Sequence, residues 1–252
     1  MKFRMRKRIP RARPADVVAA DEGLLGTLDA LDRAVNYRNW ILGLAEPFLR
    51  DAQEILEVGA GHGTFTVELS QVANVTALEL GSEALARLRE RFLGDATVSI
   101  SDESLAQLAA DRFDVAFLSN VLEHIEGDVE ALSQLARVVK PAGYVIVFSP
   151  AFRLLYSEFD ATIGHHHRYR LEGLRQKFRS AGLDVVEARY VNLVGFFSWF
   201  LMVRLLRITP ENQGAVRVFD RWFVPWLRIL ERMIRVPFGQ SVFVVGRVPA
   251  GR

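Results

Sequence analysis

The sequence contains no cysteine among its 252 residues, and this absence excludes several kinds of chemistry. Without thiols the chain forms no disulfide framework, no thiolate metal site and no cysteine nucleophile. The absence also suits a reducing compartment, so we expect a cytoplasmic location. A long apolar run is missing as well, because the apolar stretch that begins near residue 193 ends at Arg204, short of the roughly 20 residues that span a bilayer.

The N-terminus is basic, and no apolar segment follows that would resemble a secretory signal. Residues 1–13 carry seven Lys or Arg, whereas residues 14–192 carry 16 basic and 27 acidic residues. We expect residues 1–15 to form a flexible, solvated tail. Binding to an anionic surface, either phospholipid headgroups or nucleic acid, is the alternative for this clustered charge.

Apolar runs typical of strands alternate with segments of helical periodicity, which predicts an α/β fold. The predicted strands are residues 54–58, 75–80, 97–101, 113–119, 144–149, 185–191 and 241–248. The predicted helices are residues 64–72, 83–92, 129–139 and 171–181, with a further helical region at 29–49. The sequence Lys-Pro-Ala-Gly at 140–143 predicts a helix end and a turn into the next strand.

Three glycines follow the first predicted strand, in the sequence EVGAGHG at 57–63. Gly59, Gly61 and Gly63 lie where a strand gives way to a helix, and each permits a tight turn or lets a ligand approach the backbone. The spacing differs from the dinucleotide fingerprint G-x-G-x-x-G because Thr64 stands three residues after Gly61. We interpret the segment as a ligand-binding turn, with a merely tight turn as the alternative.

Acidic residues follow the second and third predicted strands. Glu79 lies twenty residues after Gly59, where a carboxylate can accept hydrogen bonds from both hydroxyls of a ribose. Asp102, in Ser-Asp-Glu-Ser at 101–104, can accept a hydrogen bond from the exocyclic amine of adenine. A helix N-cap is the alternative for Asp102.

The motifs EVGAGHG, ALEL, SDES, FDVAFLSNVLEHIEGD and VVKPAGYVIVFSP, in this order, resemble the class I S-adenosylmethionine-dependent methyltransferases over roughly residues 55–150. The resemblance implies a Rossmann-like seven-stranded sheet with an antiparallel last strand. It implies S-adenosyl-L-methionine as cofactor and S-adenosyl-L-homocysteine as product, with the methionine part over the glycine turn and Asn120 beside the sulfonium. The implied cofactor-binding residues are Tyr37, Glu57, Gly59, Ala60, Gly61, Gly63, Glu79, Leu80, Asp102, Glu103 and Asn120. For Tyr37, core packing is the alternative.

Methyl transfer requires alignment of nucleophile, methyl carbon and sulfur, and a hydroxyl acceptor also benefits from a general base. His62 lies in the glycine turn and more simply shapes that turn. His124 follows the fourth strand in a segment that resembles a recurrent element of the family, and we expect it to help close the cofactor site, with catalysis as the alternative. The loop at 156–170 holds the remaining three histidines, and such a long polar loop at the carboxyl end of a strand is typical of a lid or substrate loop.

This loop resembles that of methyltransferases acting on sugars or lipid-linked intermediates in bacterial cell-surface pathways. The resemblance implies His165 as general base, with His166 as second choice and Asp160 as the residue that orients the base. It also implies an acceptor site, to which Arg168 contributes a contact with a phosphate or carboxylate. The predicted substrate-binding residues are Tyr156, Arg168 and Tyr169. The alternative is that these polar residues only pin the lid to the body of the protein.

Consecutive histidines at 165–167 also raise the possibility of a metal site. Adjacent side chains diverge in extended backbone, and no clear set of acidic ligands accompanies these three residues. We therefore predict no required metal ion.

An apolar insert at 193–239 divides the predicted methyltransferase domain, which comprises residues 16–192 and 240–252. The insert resembles two apolar helices, the second with Trp222 and Trp226 on one side and Arg221, Arg228 and Arg232 on another. We expect it to roof the acceptor site or to lie on an anionic membrane surface, on the inner face of the membrane. A homodimer surface and simple packing on the sheet are the alternatives.

These observations favour O-methylation of a small-molecule, saccharide or lipid-linked acceptor. One alternative is N- or C-methylation of another lipophilic small molecule, and a second is methylation of a nucleic acid or protein. Nucleic acid is disfavoured because the fourth strand ends in Ser-Asn-Val-Leu at 119–122 rather than in the Asn/Asp-Pro-Pro-aromatic string of amino-methylating enzymes. A non-catalytic binding protein is the third alternative.

Overall fold

A computed structural model describes residues 26–206 and 213–251, so the predicted basic tail at 1–15 lies outside the described residues. The described chain is built on one seven-stranded sheet with the order β3-β2-β1-β4-β5-β7-β6. The strands are β1 (Glu54–Val58), β2 (Asn74–Leu78), β3 (Val98–Ser101), β4 (Phe113–Ser119), β5 (Val139–Pro150), β6 (Asp184–Val191) and β7 (Ser241–Arg247).

The strand directions confirm the predicted methyltransferase sheet. Neighbouring strands from β3 to β5 pair in parallel, whereas β7 is antiparallel to both β5 and β6. β1 and β4 consist almost wholly of buried residues, as expected of parallel strands that are covered on both faces. The carboxyl ends of β1, β2, β4 and β5 therefore meet at one edge of the sheet, where open α/β sheets bind their ligands.

Helices cover both faces of this sheet. Leu132 of α5 and Leu174 of α7 belong to the apolar core on one face, and Trp40 of α2 and Leu88 of α4 belong to that on the other. The helices up to α7 are α1 (26–33), α2 (Val35–Leu49), α3 (Thr66–Leu69), α4 (Ser82–Arg91), α5 (Asp128–Val138), α6 (Glu158–Thr162) and α7 (Leu171–Ser180).

Several predicted boundaries differ from the structure. The helix after the glycine turn is the short α3 instead of 64–72, and the N-terminal helical region is interrupted at Ala34, whose ψ of 65° is not helical. The residues Lys-Pro-Ala-Gly at 140–143 lie within β5 rather than in a separate turn. Here the pairing register with β4 shifts between Phe113 and Val115, so an irregularity in the strand accommodates the proline.

The insert forms the helical segments α8 (Leu193–Trp199), α9 (Gln213–Val218) and α10 (Val224–Met233), and π-helical turns follow α8 and α9. One buried carboxylate attaches the insert to the domain, and another joins two helices of the insert. Asp220 accepts the backbone N–H groups of Asn36 at 3.2 Å and Tyr37 at 2.8 Å, in the first turn of α2, and Glu231 accepts that of Leu193 at 2.9 Å. Each carboxylate thus satisfies N–H groups that a helix start leaves without a partner. None of the described helices combines the length and apolarity needed to cross a membrane.

Candidate functional site

The glycine turn after β1 has the backbone conformation that its sequence predicts. Gly59, Gly61 and Gly63 all have positive φ, at 67°, 58° and 94°, a region that side chains disfavour. Space is also limiting, because a Cβ added at Gly59 would lie 2.5 Å from Val121 and one at Gly61 would lie 2.8 Å from Leu28 of α1. The glycines therefore let the turn pack tightly between the fourth strand's end and the N-terminal helix, and Ala60 between them is buried.

Glu79 lies against this turn, as its spacing predicts. Its carboxylate accepts the backbone N–H of Gly61 at 2.7 Å, and it also accepts those of Leu80 at 2.8 Å and Gly81 at 2.7 Å. Leu80 beside it is 67% exposed. An oriented carboxylate next to an exposed apolar side chain fits a nucleoside, since ribose hydroxyls donate hydrogen bonds and an adenine face is apolar.

Glu57 is buried near the end of β1 and accepts a hydrogen bond from the hydroxyl of Thr66 at 2.6 Å. Burial raises the pKa of Glu57 to about 8, against the opposing effect of the Thr66 hydrogen bond and with further contributions from the charges of Glu68 and Glu79. The carboxyl group is therefore mainly protonated at neutral pH.

Three more predicted cofactor residues line the same edge of the sheet. Asp102 and Glu103 follow β3 and are exposed, and Asp102 pairs with Arg89 of α4 at 3.2 Å. Asn120 follows β4 with a positive φ of 55°, which asparagine tolerates better than most residues. Its N–H donates to the carbonyl of Phe148 in β5 at 2.8 Å. The structure thus brings the ends of β1 to β4 together around the glycine turn, but Asp102 is engaged by Arg89.

Tyr37 packs in the interior beside β5 rather than standing free over the glycine turn. Its ring contacts those of Trp40 and Phe148 with centroids 5.5 and 6.2 Å apart. Burial raises the pKa of its phenol well above the usual value, although hydrogen bonds with Ser241 and Asn192 oppose this. These contacts correspond to the packing alternative, and the predicted cofactor contact of Tyr37 stays a prediction.

His62 serves the glycine turn, as expected. It is buried, and its ring nitrogens lie 3.4 Å from Asp29 and 3.9 Å from Asp32 in α1. Arg91 donates to the carbonyl of His62 at 3.3 Å. His62 therefore joins α1 to the glycine turn.

The predicted base His165 and its orienting residue Asp160 are in direct contact. The Nδ1 atom of His165 lies 2.9 Å from Oδ1 of Asp160, and Nε of Arg168 donates to the same oxygen at 2.7 Å. Asp160 also accepts the backbone N–H and the hydroxyl of Ser157, both at 2.8 Å. Burial alone raises the pKa of this carboxyl, but the hydrogen bonds from His165, Arg168 and Ser157 and the Arg168 charge lower it to about 2.

The predicted acceptor residues are engaged within the protein. The Arg168 side chain is 1% exposed and lies over the ring of Trp199, 5.0 Å from its centroid. Tyr169 is buried, with its hydroxyl 3.0 Å from Asp128, and the hydroxyl of Tyr156 donates to the carbonyl of His165 at 2.9 Å. These bonds hold the lid in place, and direct contacts of the three residues with an acceptor stay predictions. His166 is exposed, and its backbone N–H donates to the carbonyl of Glu123 at 2.8 Å.

Glu123 is a site residue that the sequence interpretation missed. It is fully buried, accepts the Ser149 hydroxyl at 2.9 Å, and places Oε1 3.8 Å from Nε2 of His165. The ring of His124 contacts that of His165 edge to face, with centroids 4.6 Å apart. An acidic residue directly after the fourth strand was the available signal, but it did not show that Glu123 faces a loop about forty residues later.

Trp199 of α8 connects the lid to the insert. Its indole N–H donates to the carbonyl of Leu155 at 3.0 Å, and its ring contacts Phe159 with centroids 5.9 Å apart. Together with the Arg168 contact, these interactions place the start of the insert directly on the loop that carries His165.

Comparisons with known proteins agree with the observed fold. Residues 56–147 match the Methyltransferase domain family. An uncharacterized protein of Mycobacterium tuberculosis is 25% identical over 197 residues, which are 71% of this chain and 62% of that relative. A ubiquinone biosynthesis O-methyltransferase of Paracidovorax citrulli is 29% identical over 170 residues, 60% of this chain and 70% of the relative. The chain thus spans less than two thirds of the Mycobacterium relative.

A solved structure shows the same fold at low sequence identity. Phosphoethanolamine N-methyltransferase 2 of Haemonchus contortus, in complex with S-adenosyl-L-methionine, has a TM-score of 0.60 at 18% identity. The alignment covers 84% of this chain and 52% of that chain. Residues 56–147 thus match a methyltransferase domain, and the seven-stranded sheet with its antiparallel last strand is a Rossmann-like methyltransferase fold.

Proposed function

We propose that the protein transfers a methyl group to a hydroxyl of a small-molecule, saccharide or lipid-linked acceptor, with His165 as general base. The observation that carries this proposal is the 2.9 Å contact between Nδ1 of His165 and Asp160. An ionised Asp160 accepts the Nδ1 proton, so the neutral ring keeps its lone pair on Nε2. The contact lies next to Glu123, which follows β4 and accepts the hydroxyl of Ser149 in β5.

Bound S-adenosyl-L-methionine supplies an electrophilic methyl group on a sulfonium. The acceptor oxygen forms its bond to the methyl carbon while the carbon–sulfur bond breaks, and the electron pair of that bond stays on sulfur. The acceptor proton moves to Nε2 of His165, and S-adenosyl-L-homocysteine is released. The contribution of the protein is alignment, exclusion of water and a place for this proton.

The residues around the glycine turn take the cofactor roles in this proposal. Glu79 holds the ribose hydroxyls, Leu80 packs against the adenine, and Asn120 lies beside the reacting end. Glu57 is also assigned to the cofactor site. The positive charges of bound S-adenosyl-L-methionine would favour the ionised form of its carboxyl group. The orientation of Glu79 by three backbone N–H groups supports these assignments.

The base is tested with His165→Gln and the matched variant His167→Ala, which changes a neighbouring histidine of the same loop. Methyl transfer from labelled cofactor into saccharide, phenolic and lipid acceptors is compared with S-adenosyl-L-homocysteine binding by calorimetry. We expect His165→Gln to lose about 10²–10⁴-fold in kcat with unchanged cofactor affinity, and His167→Ala to stay active. If His165→Gln turns over as fast as the wild type, His165 is not the general base.

We also propose that the acceptor is amphiphilic and is met at an anionic membrane surface, on the cytoplasmic side. Within α10 only Val224, Leu227 and Glu231 are buried. The exposed apolar surface of the insert consists of Phe197, Leu201, Leu205, Leu206, Val218, Trp222, Phe223, Trp226, Ile229, Leu230, Met233 and Ile234. So many exposed apolar side chains on one segment are characteristic of an interaction surface.

Exposed arginines accompany this surface, namely Arg217, Arg221, Arg228, Arg232 and Arg235. Apolar and aromatic side chains that enter the headgroup region, with basic side chains beside them, are the composition of an interfacial helix on anionic lipid. The contact of Trp199 with the lid supports a route from this surface to His165. A lipid-linked acceptor would then reach the site without leaving the bilayer surface completely.

Vesicle cosedimentation tests the membrane proposal with the double variant Trp222→Ser/Trp226→Ser. Leu93→Ser is the matched control, because Leu93 is 88% exposed but lies outside the insert. We expect wild type and Leu93→Ser to bind vesicles containing phosphatidylglycerol, more weakly at high salt, and the double variant to lose at least tenfold in affinity, given the apolar area removed. Absence of wild-type binding at low salt contradicts the proposal.

A further inference from the structure

Three side chains of the kind that bind metal ions meet beyond the carboxyl ends of β4 and β5. They are Glu123 and His124, from the 3-10 turn after β4, and His165 from the lid. One ligand atom of each residue lies within 4.8 Å of those of the other two. This set differs from the consecutive histidines at 165–167, because two distant segments contribute to it and one ligand is acidic.

One oxygen of the buried Glu123 carboxylate is unsatisfied by the described residues. The residue is fully buried, and its Oε2 atom accepts the Ser149 hydroxyl. Its Oε1 atom is buried, has no hydrogen-bond partner among the described residues, and lies 3.8 Å from Nε2 of His165. An unsatisfied buried carboxylate oxygen is costly. A proton or a cation placed between Oε1 and Nε2 relieves that cost.

The two histidines present the atoms that a cation needs. Asp160 binds Nδ1 of His165, which directs the lone pair of Nε2 toward Glu123, as carboxylates do for metal-binding histidines. The ring of His124 lies edge to face against that of His165, with centroids 4.6 Å apart, so one of its nitrogens reaches the same space as Nε2 of His165.

We propose that Glu123, His124 and His165 bind a divalent first-row transition-metal ion such as Zn²⁺. Two imidazole nitrogens with one carboxylate oxygen suit such an ion better than Mg²⁺ or Ca²⁺. The 3.8 Å between Nε2 and Oε1 is near the edge of about 3.4 Å that a tetrahedron with bonds of about 2.1 Å requires. Three protein ligands leave one position open, and the His124 atom, which lies within 4.8 Å of the other two, moves closer to them when the ion binds.

The proposed metal site uses Nε2 of His165, which is also the atom of the proposed general base. The expected effect of a metal ion on activity therefore rests on the proposed function. Nε2 holds either an ion or the acceptor proton. The geometry therefore makes metal binding a means of inhibiting methyl transfer. Zinc added to the metal-free protein lowers turnover, and a chelator restores it.

Binding is measured first, without reference to activity. The full chain is stripped with a chelator and dialysed against Zn²⁺ or Co²⁺, the bound metal is counted by mass spectrometry, and the absorption bands of Co²⁺ report its ligands. The variants are Glu123→Gln, which conserves shape, and His124→Ala. His167→Ala is the control for adventitious binding by exposed histidines. Cofactor binding by calorimetry shows that each variant is folded.

We expect one tightly bound ion per wild-type chain, the same in His167→Ala, and at least tenfold weaker binding in Glu123→Gln and His124→Ala. If Glu123 and His165 share a proton instead of a metal ion, the wild type binds no metal tightly, and that result overturns the proposal. Binding that His167→Ala abolishes, or that Glu123→Gln and His124→Ala leave unchanged, also overturns it. If the wild type binds the ion but needs it for turnover, the metal site stands and the base assignment of His165 fails.

Discussion

Two buried carboxyl groups, Glu57 near the end of β1 and Asp160 in the lid, have pKa values on opposite sides of their usual range. Both are removed from water, at 3% and 0% exposure. The pKa of Glu57 is raised to about 8, whereas that of Asp160 is lowered to about 2. Burial by itself therefore does not decide whether a carboxyl group is charged.

The difference lies in the partners. Glu57 has one neutral hydroxyl, and the other carboxylates near it disfavour a further negative charge. Asp160 has a guanidinium, an imidazole and two groups of Ser157 that all donate to it. A charge that is fully hydrogen-bonded is retained in the interior, and one that is poorly paired takes up a proton.

The largest effect that this comparison predicts is on Asp160→Asn. The change leaves Arg168 charged, 1% exposed and without its carboxylate, so we expect a loss of about 3–5 kcal/mol in the free energy of unfolding. Urea denaturation measures it, with Glu158→Gln in the same helix as the exposed control. In the wild type, the stability from the lowered Asp160 pKa is present above pH 3.8 and is lost as the pH falls toward 2. A loss below about 1 kcal/mol would show that Arg168 is solvated and that the pairing matters little.

Glu57→Gln is expected to have a smaller effect, which depends on pH. Because the folded-state pKa is raised, the wild type is most favoured below pH 4.5 and loses stability as the pH rises from 4.5 through about 8. Between pH 4.5 and pH 7 the change is about 3–4 kcal/mol, at roughly 1.4 kcal/mol per pH unit. Glutamine cannot titrate, so thermal unfolding of the variant should lack this decline. Glu54→Gln, at the other end of β1, is the control, and a decline of equal size in Glu57→Gln would assign it to another group.

Glu79→Gln tests the carboxylate that backbone N–H groups orient at the glycine turn. An amide offers one acceptor oxygen and places an NH₂ group against donors, so we expect S-adenosyl-L-homocysteine affinity to fall about 10–100-fold, or about 1–3 kcal/mol. Calorimetry measures the change, and Glu83→Gln, exposed in α4, should bind as the wild type does. Unchanged affinity in Glu79→Gln would separate this residue from the ribose.

The part of the candidate site around the glycine turn was accessible to sequence interpretation because its contacts are local or follow from strand order. β1 and β4 have the predicted bounds, and α5 and α7 begin or end within one residue of them. Glu79 reaches a turn eighteen residues earlier, one parallel strand away. Once the strands are assigned, parallel pairing brings those carboxyl ends together.

The contacts of the lid and the insert were only partly accessible to sequence interpretation, because they join distant segments of the chain. The pairing of His165 with Asp160 was predicted from one loop, and the two residues do meet. Nothing in the sequence indicated that Glu123 faces His165, that Arg168 lies on Trp199, or that Asp220 accepts the first N–H groups of α2. These contacts depend on how the lid and the insert fold over the sheet.

The sequence by itself determined the sheet, the glycine turn and the residues that can ionise near it, because hydrophobic periodicity and backbone conformation are local properties. Only the tertiary structure decided the charge of each carboxyl group and brought Glu123, His124 and His165 together. Those properties depend on which groups share a buried volume. Side chains far apart in the chain enter that volume only when the sheet, the lid and the insert pack against one another.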